Sequence, residues 1–175
     1  MNETTFELRS VDSHIEVHKF RVGSVIIVTA LVFILQVILP KYFPKTGMID
    51  LPLLITVYFA LSRRNPSTGL LTGMTIGILQ DALSHTPIGL NGIAKTVVGY
   101  LASSIGARLD TEHPASRFLL VFFFFALNQG IIILIQRLLL AQYAPWFTLH
   151  LAIAAAVNAI IGTLLFIPLD RLRKS

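Results

Sequence analysis

The chain has 175 residues, of which 54% are hydrophobic and only 13% are charged, with a formal net charge of +5. A soluble domain carries about 25% charged residues, so the composition excludes a water-soluble monomer, and its high apolar content also excludes a disordered chain. The absence of cysteine excludes disulfide bonds, a thiolate nucleophile and cysteine-ligated metal centres. These figures are typical of an integral membrane protein.

Six apolar stretches are candidates for crossing a bilayer, whose hydrocarbon core of about 30 Å requires roughly 17–25 residues of helix. They lie at 22–39, 48–61, 69–83, 88–107, 118–140 and 146–169. The second and third provide only about 21–23 Å of helix and could form a re-entrant hairpin. That hairpin would bury Arg63 and Arg64 at about 2.5–3.5 kcal/mol each, which favours two short spanning helices. We predict an all-α, polytopic bundle of six transmembrane helices at 22–169, between tails at 1–21 and 170–175.

The basic residues predict the orientation of this bundle. The two tails and two of the connecting loops together contain ten lysines and arginines. The other three loops contain only Lys41 and Lys45. The ten are Arg9, Lys19, Arg21, Arg63, Arg64, Arg108, Arg117, Arg171, Arg173 and Lys174. Cytoplasmic loops carry the excess of basic residues, so both termini are expected in the cytoplasm. This distribution also explains the pI of 9.9 without any binding of nucleic acid.

Small residues recur on one face of the third and fourth segments. The third has Gly69, Gly73 and Gly77 at every fourth position, and the fourth has Gly99 and Gly106 on a similar stripe. Glycine at this spacing lets a second helix approach closely in lipid. We predict that these five residues serve helix packing or partner binding, and that the third and fourth helices pack on each other.

Polar residues within the segments are expected to gather in the outer half of the bundle. They are Asp50, Asp81, Asn91, Lys95 and Arg137, and helical spacing places the Lys95 amine within reach of Asp81. One interpretation is an outer polar cavity or partner-docking site, because ionisable groups within the membrane are usually functional. The other is a structural ion-pair network, with Asp50 and Arg137 extending to the interface.

The sequence contains no recognisable catalytic, cofactor-binding or metal-binding pattern. The segment GLNGIAKT at 89–96 nearly matches a phosphate-binding loop, but Ala94 replaces the required second glycine, and the segment lies inside a predicted membrane helix. The histidines have no metal-ligand spacing. We therefore expect no enzyme activity and no cofactor.

Three stretches resemble the MreD family of the bacterial rod-shape system. They are DLPLLITVYFAL at 50–61, GLLTGMTIGILQD at 69–81 and PIGLNGIAKTVVGY at 87–100. An acidic-proline start to a short helix, spaced glycines that end in an aspartate, and a Gly-x-x-Gly helix are the pattern of that family. The resemblance implies a fold like the substrate-binding membrane subunit of energy-coupling-factor vitamin transporters.

The resemblance also implies an inner-membrane partner of the cell-elongation machinery. Proteins similar to this one associate with the single-span MreC, and through that complex with MreB, RodA and its transpeptidase. The leading hypothesis is a non-catalytic scaffold that binds MreC and helps control peptidoglycan synthesis and cell shape, and a homodimer is also possible. The alternative hypothesis is the substrate-binding subunit of a vitamin-type transporter, although the first helix lacks the AxxxA-type docking stripe of such subunits.

Overall fold

The computed structural model describes residues 22–108, 113–141 and 148–172, which form six α-helices and one short 3-10 helix without any β-strand. The helices are α1 (Val22–Tyr42), the 3-10 helix (Pro44–Met48), α2 (Leu51–Arg63), α3 (Pro66–Ser84), α4 (Leu90–Gly106), α5 (Pro114–Leu138) and α6 (Leu149–Leu172). The predicted all-α fold is confirmed. The tail at 1–21, the last three residues of the tail at 170–175, and the predicted start of the sixth segment at 146 lie outside the described residues.

The starts of α2 and α5 differ from the sequence prediction for local reasons. α2 begins three residues later than predicted, because Pro44–Met48 forms a separate 3-10 helix and Asp50 then caps α2. α5 begins earlier, at Pro114, where proline is favoured because the first helical residue needs no N–H group. α6 continues past 169 to Leu172, so part of the predicted C-terminal tail is helical.

α2 is the central helix of the bundle. Every residue from Leu51 to Ser62 is buried, and α2 contacts all five other α-helices. Its sequence is apolar on all sides, and such a helix is stable only inside a core or in lipid. α2 is only about 20 Å long, and its neighbours bury every residue of it except Arg63.

Three of the described helices are long and apolar enough to cross a membrane. They are α1, α5 and α6, identified by length and composition over Val25–Tyr42, Pro114–Leu138 and Leu149–Arg171. Each has large apolar side chains on its outer surface. This exposure is expected where lipid, rather than water, covers the helix.

α3 and α4 form the most extensive helix pair in the bundle. α3 starts at a well-defined cap, since Asn65 Oδ1 accepts hydrogen bonds from the N–H groups of Ser67 and Thr68 at 3.1 and 3.3 Å. It ends at His85, which adopts a left-handed conformation with φ of 53°. The turn into α4 passes through Gly89 at φ of 101°, where a residue with a side chain would be strained.

Candidate functional site: a buried polar cluster at the start of the central helix

The backbone that leads into α2 is irregular and lies beside the middle of α6. The Asp50 N–H donates to Asn158 Oδ1 at 2.9 Å, and Asn158 is about 13 Å along α6 from Leu149. Irregular backbone at such depth in a membrane is tolerated only where protein groups satisfy its N–H and C=O groups, because water is absent there. The start of α2 therefore depends on internal hydrogen-bond partners.

Two side-chain amides supply these partners. Gln36 of α1 donates through Nε2 to Ile49 O at 3.0 Å and accepts the Leu51 N–H at Oε1 at 3.0 Å. Asn158 of α6, besides accepting from Asp50, donates through Nδ2 to Met48 O at 2.8 Å. The two amides thus replace water for two donors and two acceptors of the backbone.

The Asp50 carboxylate joins α2 to α3 and α4. Its Oδ1 accepts the Leu53 N–H at 3.0 Å, which caps α2, and Gln80 Nε2 at 3.3 Å. Its Oδ2 accepts Lys95 Nζ at 2.8 Å in an ion pair. Asp50 is 8% exposed and Lys95 is fully buried. The expected pair between Lys95 and Asp81 is therefore wrong, as is the interpretation that Asp50 extends to the interface.

Asp81 is occupied instead by the start of α4. Its Oδ2 accepts the N–H groups of Gly89 and Gly92 at 2.9 and 3.1 Å. Its Oδ1 accepts the Asn91 N–H at 3.0 Å, Asn91 Nδ2 at 2.9 Å and Thr86 Oγ1 at 2.9 Å. The first N–H groups of a helix have no partner within the helix and attract an anion. Asp81 fills that role from the preceding helix.

This geometry also explains the likeness to a phosphate-binding loop. The segment at 89–96 does present backbone N–H groups to an anion, but that anion is the Asp81 carboxylate of the same chain. Asn91 then connects the two acidic groups, since its Oδ1 accepts from Lys95 Nζ at 3.2 Å while its Nδ2 donates to Asp81. We call Asp50, Asp81, Asn91 and Lys95 the polar cluster.

The side chains of the polar cluster are buried among the helices. They bond to one another, to Gln80 and to the ends of α2 and α4. This arrangement favours the structural interpretation of the buried charges. Arg137, predicted for the same cavity, is half-buried near the end of α5, and none of the bonds described for the cluster involves it.

The glycines of α3 lie against the backbone of α4. A Cβ atom on Gly73 would lie 2.7 Å from the carbonyl carbon of Lys95, and one on Gly77 would lie 2.7 Å from the Cα of Gly92. A Cβ on Gly69 would also collide with α4. The close approach of the two helices places Lys95 and Asn91 beside the ends of α2 and α3, so the glycines position the polar cluster.

The two predicted glycines of α4 are covered in the same way. Gly99 faces Gly69, and a Cβ on Gly106 would lie 2.9 Å from the Cα of Leu61 in α2. All five predicted glycines are thus occupied by contacts with other helices of the same chain.

A second cluster, which sequence reasoning did not identify, lies beside the C-terminal half of α2. Tyr58 donates to Asp170 Oδ1 at 3.2 Å, and Arg117 forms an ion pair with Asp170 Oδ2 at 2.7 Å. The Arg117 guanidinium also lies 5.9 Å from the centre of the Phe166 ring, within reach of a cation–π interaction. This cluster ties α2, α5 and α6 together, although Arg117 was assigned to a loop and Asp170 to the tail.

Sequence reasoning also missed Gln36 and Gln80. Gln36 is the one amide in the otherwise apolar stretch at 22–39, and Gln80 directly precedes Asp81. A lone amide within a long apolar segment is the available signal, because burying it in hydrocarbon without a partner is costly. The signal indicates that a partner exists but does not identify it.

The fold and these clusters define a helical membrane protein whose buried polar groups join its helix ends. The chain belongs to the MreD family, since the family model described as rod shape-determining protein MreD matches residues 18–175. This match confirms the resemblance recognised in the sequence and supports a role in rod-shape determination. No curated protein and no solved structure matches the chain.

Proposed function

We propose that this chain is a non-catalytic scaffold of the bacterial cell-elongation machinery, which binds MreC in the inner membrane and helps control peptidoglycan synthesis. MreB, RodA and its transpeptidase would be reached through that complex. The family match over residues 18–175 carries the proposal. The internal use of the buried charges is consistent with it, because the polar cluster stabilises the bundle itself.

In this proposal the chain crosses the inner membrane six times, with both termini in the cytoplasm. The arginines support this orientation: Arg63 ends α2, Arg64 lies between α2 and α3, Arg108 follows α4, and Arg171 is in the last turn of α6. In a six-span bundle these positions lie at one end, and the excess of basic residues marks the cytoplasmic end. The polar cluster lies toward the opposite end.

The proposed MreC-binding surface is the outer face of α3 and α4. Since the glycines are covered within the chain, a partner helix has to use exposed apolar side chains. α3 exposes Met74 and Ile78, and α4 exposes Ile93, Val97 and Tyr100. Gly73 lies level with Lys95, and Gly77 lies level with Gly92, so these two exposed rows run side by side. Adjacent rows of this kind can receive one apolar helix.

The test is co-purification of the full chain with MreC after co-expression. The wild-type chain is expected to retain MreC, whereas Val97→Trp is expected to lose about tenfold of it through steric exclusion of the partner helix. Leu119→Trp is the matched control, because Leu119 is 64% exposed and belongs to a different helix, α5. Thermal unfolding of each variant measures whether the bundle itself is intact.

Two outcomes would contradict the proposal. A wild-type chain that does not retain MreC would refute the scaffold function, and a stoichiometric vitamin-sized ligand in the purified protein would favour a transporter subunit. Loss of MreC with Leu119→Trp alone would move the binding surface to α5. Gly73→Leu is unsuitable for locating this contact, because a side chain at Gly73 would collide with α4.

A further inference from the structure

A cleft with a volume of about 540 Å³ lies between α1, α2 and α3, on a different side of α3 from the α3–α4 interface. We call it the α1–α3 cleft. Its walls include Val25, Ile26 and Phe33 of α1, Phe59 of α2, and Leu71 and Leu79 of α3. A volume of this size is within the range of ligand pockets, and its apolar walls select an apolar occupant.

The threonines of α3 add to this apolar character. Thr72 and Thr75 both line the cleft, but their hydroxyl groups donate to carbonyl oxygens of their own helix at 2.7 and 2.9 Å. Their hydrogen-bonding capacity is thus directed along the helix backbone. The cleft wall formed by α3 remains mainly apolar along its length.

One end of the cleft is basic. Arg63, in the last turn of α2, lines the cleft and is half-buried, and no carboxylate of the described residues forms an ion pair with it. Thr68 lines the same end of the cleft, near the start of α3. A half-buried guanidinium beside a hydroxyl group matches an anion with several oxygen atoms, such as a phosphate.

The length of the cleft distinguishes between two apolar occupants. From Thr68 to Leu79 along α3, the cleft extends about 16 Å. This is close to the depth of one leaflet, about 15 Å of hydrocarbon, whereas a transmembrane helix of a partner needs about 30 Å. The dimensions therefore fit an acyl chain better than a spanning helix.

We propose that the α1–α3 cleft binds an anionic phospholipid of the cytoplasmic leaflet, with an acyl chain along α3 and the phosphate at Arg63 and Thr68. Basic pockets between transmembrane helices on the cytoplasmic side are suited to anionic lipid headgroups. The choice of leaflet rests on the orientation given under the proposed function. The site itself rests on the cleft and on Arg63.

The test measures lipid binding to the purified full chain by native mass spectrometry. The chain is incubated in detergent with dioleoyl phosphatidylglycerol or with dioleoyl phosphatidylcholine at equal mole fraction. We expect one phosphatidylglycerol per chain, bound about fivefold more tightly than phosphatidylcholine. Arg63→Gln is expected to remove this preference. Arg64→Gln, at a neighbouring arginine that does not line the cleft, is the matched control and is expected to keep the preference.

A second pair of variants tests the acyl-chain site separately from the charge. Ala30→Trp places a large side chain in the cleft and is expected to reduce binding of both lipids, whereas Ile27→Trp, at an exposed position of α1 outside the cleft, is expected to leave it unchanged. Equal binding of the two lipids to the wild-type chain, or unchanged binding in Arg63→Gln and Ala30→Trp, would overturn the proposal. Because the lipid measurement uses the chain alone, its failure is distinguishable from a failure to bind MreC.

Discussion

The ion pair between Lys95 and Asp50 provides the sharpest test of the structure. The two charged atoms lie 2.8 Å apart, Lys95 is fully buried, and Asp50 is 8% exposed. Removing one partner of a buried pair leaves an uncompensated charge, which costs about 3–5 kcal/mol. Lys95→Met and Asp50→Asn are each expected to reduce the free energy of unfolding by this amount. Asparagine at position 50 keeps an acceptor for the cap of α2.

The double variant is expected to be less damaged than either single variant. Asp50→Asn with Lys95→Met removes both charges together, so only hydrogen bonds and packing are lost, at about 1–2 kcal/mol. Unfolding by titration with sodium dodecyl sulfate in mixed micelles, followed by circular dichroism, measures each free energy. Lys41→Met, at an exposed lysine of α1, is the control and is expected to change stability by less than about 0.5 kcal/mol.

An additive double variant would refute this reasoning. If its loss equals the sum of the two single losses, Lys95 and Asp50 do not interact energetically in the folded protein. The corresponding cycle with Asp81→Asn in place of Asp50→Asn is expected to show weaker coupling, because Lys95 reaches Asp81 only through Asn91.

Three further predictions address the glycines, the α4 cap and the second cluster. Gly73→Ala is expected to destabilise the bundle by about 1–3 kcal/mol through a collision with α4. Gly130→Ala, where an added Cβ would meet no atom of another helix within 4 Å, is expected to stabilise α5 by about 0.5–1 kcal/mol. Thermal unfolding compares the two variants, and equal effects would contradict the close approach of α3 and α4. Asp81→Ala is expected to lower the free energy of unfolding by about 2–4 kcal/mol, because it leaves buried N–H groups of α4 without a partner. The same variant is expected to speed amide hydrogen exchange in the first turn of α4. Unchanged exchange there would show that Asp81 is not the cap. Arg117→Gln is expected to cost about 1 kcal/mol, because the side chains of Arg117 and Asp170 are 14% and 29% exposed and solvent partly screens such a pair. A loss that does not decrease with added salt in the same unfolding assay would argue against an ionic contribution.

The helices could be predicted from the sequence because their signals are local. Apolar stretches, several of them interrupted by single charged residues, indicated all six segments, and the spacing of Gly69, Gly73 and Gly77 indicated a face that allows close helix packing. Helix ends were harder to predict. The sequence at 48–61 reads as one apolar stretch, yet the chain forms a 3-10 helix and an Asp50 cap before α2 begins.

The partners of the buried charges could not be predicted, because they depend on the depth at which α2 begins. Helical spacing alone placed Lys95 near Asp81. The choice of Asp50 depends on α2 starting beside the middle of α6, where Asn158 holds the backbone. No periodicity within one segment contains that information.

The amino-acid sequence by itself thus determined that the chain is a helical membrane protein of the MreD family, because apolar length, glycine spacing and family motifs are properties of consecutive residues. Only the tertiary structure decided how the charges are satisfied. The turn at Gly89 directs the free N–H groups of α4 toward Asp81. These N–H groups then occupy the acceptor positions of the Asp81 carboxylate. Lys95 consequently pairs with Asp50, since a buried ammonium group requires an acceptor and Asp50 presents one at the start of the central helix.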